Sequence, residues 1–85
     1  MNYTVVILRL AQKEHLAIPS PTYELIEHRL LALSGDPRPP GCKKLKGAEA
    51  AWRIRAGDYR ILYEIDDARA VVTVATICHR KDVYR

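Results

Sequence analysis

The sequence predicts an α+β fold: an N-terminal strand, then a two-helix hairpin packed on one face of a mostly antiparallel sheet of four to five strands. Three observations carry this. The chain opens on a β-branched apolar run, "NYTVVIL". Two segments of helical spacing follow, punctuated by prolines. β-rich segments joined by turn signals then close the chain. Helices grouped on one side of grouped strands form a two-layer α+β arrangement.

Each element has its own signals. "RLAQKEHLAIP" has Leu10, Lys13/Glu14 and Ala17 at helical spacing, Ala11 and Leu16 add apolar surface, and Pro19 ends the segment. In "SPTYELIEHRLLALSGDP", Ser20 is the expected N-cap and Pro21 the first helical residue, where no N–H is needed. Tyr23, Ile26, Leu30 and Leu33 form one apolar stripe, and Gly35 is the expected C-cap. "DPRPPG" is a stiff connector, and "CKKLKG" a short strand or extended edge. "AWRIRA" alternates, with Trp52 and Ile54 on one side and Arg53 and Arg55 on the other. "GD" marks a turn. "YRILYEI" places Tyr59, Ile61, Tyr63 and Ile65 on one face and Arg60, Leu62 and Glu64 on the opposite, wetted one. "DDAR" turns the chain again. "AVVTVATIC" is apolar on both faces, as a strand with a neighbour on each side is. The order is β-α-α-β-β-β. The length, 85 residues, fits one domain over residues 1–85 with a modest core.

The formal net charge is +4, which favours an anionic partner such as nucleic acid or an acidic protein. Cys42 and Cys78 form neither a CxxC nor a Cys/His cluster. They read as reduced thiols of a cytoplasmic protein, and no metal or cofactor is expected. No apolar run is long enough to span a membrane, and the opening does not have the form of a signal peptide. There is no P-loop, GxGxxG or HExxH motif.

The residues that invite chemistry are basic. Arg53 and Arg55 share a strand face, and Arg60 lies just across the expected hairpin. Like charges this close repel unless an anion or a carboxylate such as Asp58 or Glu64 lies between them. A solvated face with Arg–Glu pairs is the bland alternative. Lys43, Lys44 and Lys46 extend the charge as a stripe able to follow a phosphate backbone. The tail adds Arg80 and Lys81 beside His79 and Tyr84. His79 is either a proton shuttle or a strand terminus, and Tyr84 either stacks on a base or anchors the chain end. His15 and His28 are expected on the surface, and Trp52 and Tyr63 in the core.

Taken in order and spacing, "DPRPPG…KKLKG", "WRIRAGDYRILYEI" and "HRKDVYR" resemble the RelE-type toxins of bacterial type II toxin–antitoxin modules, within the RelE/ParE superfamily. The similarity runs over nearly the whole chain and implies the RelE-like fold. It implies a metal-independent mRNA endonuclease acting in the ribosomal A site, arresting translation and neutralised by a cognate antitoxin. The 2′-hydroxyl attacks the neighbouring phosphate, leaving a 2′,3′-cyclic phosphate and a 5′-hydroxyl. The family's functional positions fall on Arg53, Arg55, Arg60, Arg80 and Tyr84. Arg55 and Arg60 hold the phosphate through forked donors, Arg80 sits near the leaving oxygen, and Tyr84 stacks on or orients the scissile nucleotide. Lys43, Lys44, Lys46, His79 and Lys81 join them as RNA-binding residues.

The chain departs from the best-described members, which carry lysines where it has Arg53 and Arg55. An arginine stays protonated and is a poor general base. The base is then His79, Tyr84 or a ribosomal group with bound water. Alternatively, charge stabilisation and geometry carry the rate. The expected partners are the antitoxin, the ribosome with its A-site mRNA, and promoter DNA only through the antitoxin complex. A ParE-like inhibitor of DNA gyrase, with the same fold and no nuclease chemistry, is the alternative, and a binding module or decayed toxin that only sequesters antitoxin is a third reading.

Overall fold

The computed structural model describes residues 2–47, 51–79 and 81. The elements are β1 (Thr4–Ile7), α1 (Arg9–Leu16), α2 (Thr22–Ala32), β2 (Lys43–Lys44), β3 (Ala51–Ala56), β4 (Tyr59–Asp66) and β5 (Val71–His79). They form a five-stranded sheet in the order β1-β5-β4-β3-β2. All neighbours are antiparallel except β1 and β5, which pair in parallel. The α+β expectation holds, and the order β-α-α-β-β-β gains one strand, because the "CKKLKG" edge pairs as β2. β5 lies inside the sheet, with β1 on one side and β4 on the other.

One face of the sheet carries Ile54, Ile61, Tyr63, Ile65, Val72, Val74 and Ile77, and the helical layer covers it with Ala11, Ile26 and Leu30 of the helices and with Ile18 and Leu33 just past their ends. The α2 stripe is as expected: Ile26, Leu30 and Leu33 are buried and Tyr23 half-buried. In α1 the period is right but the phase is not. Leu10 and Leu16 are 58% and 74% exposed, and the buried line is Ala11, His15 and Ile18. His15 was expected on the surface. It is buried because its ring stacks on Tyr23, with centroids 3.9 Å apart, and its Nε2 lies 3.0 Å from the Tyr23 carbonyl oxygen. A histidine that satisfies its polar edge on a backbone carbonyl can occupy an apolar position. His28 is exposed, as expected.

The caps of α2 also differ from expectation. Pro21 is the N-cap, without a side-chain cap bond, and the Ser20 hydroxyl donates to the Glu24 carboxylate at 2.6 Å instead. At the other end α2 tightens into successive i→i+3 bonds, Leu33 to Leu30, Ser34 to Leu31 and Gly35 to Ala32. These satisfy the last carbonyls without a left-handed glycine, so Leu33, not Gly35, is the C-cap. The left-handed glycine is needed at the β3–β4 hairpin, where Gly57 has φ of 62° and lets the strands turn sharply.

The "DPRPPG" connector is pinned rather than merely stiff. The Tyr63 hydroxyl, buried on β4, donates to the Pro37 carbonyl at 2.7 Å, and burial pushes its pKa well above the ordinary tyrosine value. Tyr63→Phe leaves that carbonyl buried without its donor. It is expected to lower unfolding free energy by about 1–3 kcal/mol in urea titrations. Arg38 lies 5.1 Å from the centre of the half-buried Trp52 ring and makes a forked pair with Asp67 at 2.9 and 3.2 Å. Asp67 also accepts from the Tyr3 hydroxyl at 2.6 Å.

This network has two pH limbs. Arg38 and Tyr3 hold the Asp67 pKa below its ordinary value, and the bond to Asp67 holds that of Tyr3 above its own. The Asp67 contribution to stability is present above its unfolded pKa, near 4, and is lost as acid protonates it. The Tyr3 contribution is present below about pH 10 and is lost in alkali. Thermal unfolding of Asp67→Asn is therefore expected to depend less on pH at both ends than wild type. Equal pH profiles would contradict it.

Candidate nucleic-acid interface

The face of the sheet opposite the helices carries the basic residues, and register fixes their neighbours. β3 and β4 pair Arg55 with Arg60 and Arg53 with Leu62. β2 adds Lys43 opposite Arg53. β5 adds Cys78 opposite Arg60 and Thr76 opposite Leu62. Directly opposed residues share a face. Two rows thus cross the sheet, Lys43–Arg53–Leu62–Thr76 and Arg55–Arg60–Cys78.

Arg60 was expected on a wetted face. It is on that face but only 3% exposed, and its Nε and Nη1 are buried. It sits on the middle strand of five, with Arg55 on one flank and Cys78 on the other. Guanidinium is the cation suited to such a place, being more weakly hydrated than ammonium. Arg55 is exposed and Arg53 half-buried. Neither of these two is held in an ion pair among the described residues.

Two concavities lie on this face, and Arg55 lines both. A small one of about 80 Å³ is formed by Arg55, Gly57, Asp58 and Arg60 at the hairpin turn. An open one of about 290 Å³ is formed by Gly41, Lys43, Arg53 and Arg55. Opposed like charges repel each other, and an anion placed between two guanidinium groups is attracted to both. A larger cleft of about 510 Å³ lies toward the other end of β4, lined by Glu64, Asp66, Asp67 and Arg69. Its carboxylates would repel a phosphate backbone, which leaves the arginine end of the sheet as the better anion site.

The remaining basic residues separate. Lys44 pairs with Trp52 and so belongs to the other face, and Lys46 is exposed beyond the end of β2. His79 pairs with Tyr59 on the helix side, its ring edge-on to that tyrosine at 5.3 Å. Its Nδ1 accepts from the Lys81 backbone N–H at 3.3 Å, and Lys81 itself is exposed. Arg80 and Tyr84 lie outside the described residues. Gly41, which lines the open concavity, was not singled out from sequence. Its signal was the Pro-Gly pair, and its φ of 93° turns the connector toward Lys43.

Residues 5–84 match the family described as ParE toxin of type II toxin–antitoxin system, parDE. The chain belongs to this toxin family. Toxin RelG of Mycobacterium tuberculosis is 31% identical to the toxin over 86 residues, spanning 100% of this chain and 99% of RelG. The RelE–RelB complex of the archaeon Pyrococcus horikoshii superposes with a TM-score of 0.84 at 26% identity, covering 94% of the toxin and 97% of that chain. The isolated E. coli RelE toxin gives 0.78 at 27% identity, covering 96% and 90%. The protein is thus a type II toxin with a RelE-like fold. No helix among the described residues is long and apolar enough to cross a membrane.

Proposed function

We propose that the toxin is a ribosome-dependent endoribonuclease that cuts mRNA in the A site and arrests translation. One observation carries the reading: Arg55 and Arg60 are directly opposed on a face that also holds Arg53 and Lys43. Similarity to RelG and RelE supports it.

In the proposed reaction the 2′-oxygen bonds to phosphorus and the bond to the 5′-oxygen breaks. The 2′ proton leaves to a base, and a proton reaches the departing oxygen. The products are a 2′,3′-cyclic phosphate and a 5′-hydroxyl. Charge on the non-bridging oxygens rises in the phosphorane, and the forked donors of Arg55 and Arg60 act on that increase. Arg53 and Lys43 hold the adjoining backbone. Arg80 serves the leaving oxygen and Tyr84 the scissile nucleotide. With the His79 ring set against Tyr59, the base is assigned to Tyr84 or to a ribosomal group with bound water. No metal enters the scheme.

The solved relatives include RelE–RelB complexes, which supports a cognate antitoxin as partner, with promoter DNA reached through that complex. The site of action is the cytoplasm, where ribosomes are. The family description favours a second reading, a ParE-like gyrase inhibitor. Induction of the toxin without antitoxin separates the two. Amino-acid incorporation is expected to stop while the DNA-damage response stays silent. Continued incorporation with a rising damage response would transfer the function to gyrase.

A further inference from the structure

β1 covers β5 only as far as Val74, because the chain leaves the sheet at Leu8 to start α1. Past Val74 no strand among the described residues lies beside the outer edge of β5. Its backbone groups there need partners or remain a weak, fraying end. Glu14 of α1 supplies one. Its Oε1 accepts from the Ile77 backbone N–H at 2.9 Å and from the Thr76 hydroxyl at 2.7 Å. A carboxylate accepting a backbone N–H is a charge-assisted bond, stronger than the strand bond it replaces. The next residue after Ile77 is Cys78, which stands opposite Arg60, and the chain then runs on toward His79 and Arg80.

We infer that Glu14 is a positioning residue: its carboxylate stands in for the missing length of β1, holds the end of β5 in register, and thereby fixes Arg60 within the phosphate-binding face. The catalytic part of this inference rests on the endonuclease reading; the structural part does not. Glu14 is not a catalytic residue, since it reaches the site only through β5.

The test compares Glu14→Ala with Glu14→Gln, whose amide oxygen still accepts both bonds. Two readouts are used: amide exchange at Ile77 together with the Arg60 Nε–H resonance, and A-site cleavage on programmed ribosomes. In Glu14→Ala, Ile77 exchange is expected to rise roughly tenfold or more and the Arg60 resonance to move. In the same variant kcat is expected to fall roughly 10- to 100-fold with KM little changed, the cost of a small misplacement at a reacting centre. Glu14→Gln restores most of both. Should Glu14→Ala fail to fold, Thr76→Val removes one of the two bonds and is expected to show the same changes at smaller amplitude, with Thr76→Ser close to wild type. Unchanged Ile77 exchange and an unmoved Arg60 resonance in Glu14→Ala, or in Thr76→Val if that must stand in, overturn the inference. So does a full rate with both signals moved. A wild type that cuts nothing would remove the nuclease reading alone, and the exchange and resonance data would still decide whether Glu14 holds β5.

Discussion

Arg60→Ala is expected to lower A-site cleavage by roughly 10²–10³-fold, the usual cost of losing one donor aimed at developing charge. Arg60 is buried on the middle strand, so its guanidinium is held where a solvated arginine would wander. Its partner across the hairpin is Arg55, and the two line one small concavity. Arg60→Lys is expected to recover little, because an ammonium is a point charge without the planar fork. Arg55→Ala is expected to cost less, since Arg55 is exposed and has less of its charge effect sheltered from water. The double variant should lose less than the product of the single losses, because both donors serve one phosphate. Multiplicative losses would mean that the two arginines bind different groups.

The second large effect is ribosome dependence. Purified toxin is expected to cut free RNA on the order of 10⁵-fold more slowly than ribosome-bound message, or slower still, since orientation alone supplies ~7–11 kcal/mol. The physical reason lies in the shape and chemistry of the face. Its concavities, of about 80 and 290 Å³, are lined chiefly by cations, which bind a backbone without bending it in line. Arginines at Arg53 and Arg55 stay charged and do not take the 2′ proton. Single-turnover cleavage of one message, free and in the A site, measures the ratio. Equal rates would place all the catalytic power in the toxin.

Much of the fold was legible because it is written in period and punctuation. β3 and its hairpin to β4 follow from the alternation of "AWRIRA", the "GD" turn and the alternation of "YRILYEI". The sharing of a face by Arg53 and Arg55 followed from the same alternation, and the register of the hairpin adds Arg60 to it. Other features were hidden because they depend on partners distant in the chain. His15 is a polar residue in an apolar position, and only its stacking on Tyr23 makes that position tolerable. The burial of Arg60 was hidden because alternation places it on the same face of β4 as Glu64, which is exposed, and nothing local in the sequence separates the two. Lys43 and Lys44 read alike in sequence, and only the register against Arg53 and Trp52 sends them to opposite faces. Glu14 looked like an ordinary helix residue, because its role comes from β1 being shorter than β5.

The most direct test is primer extension on a defined message programmed into ribosomes, with wild type, Arg60→Ala and Arg80→Ala side by side. Cuts at the A-site codon, with a 2′,3′-cyclic phosphate on the upstream fragment, are expected from wild type and from neither variant. A folded wild type that leaves the message intact, yet blocks gyrase supercoiling, would contradict the nuclease and make the arginine face a protein-binding surface.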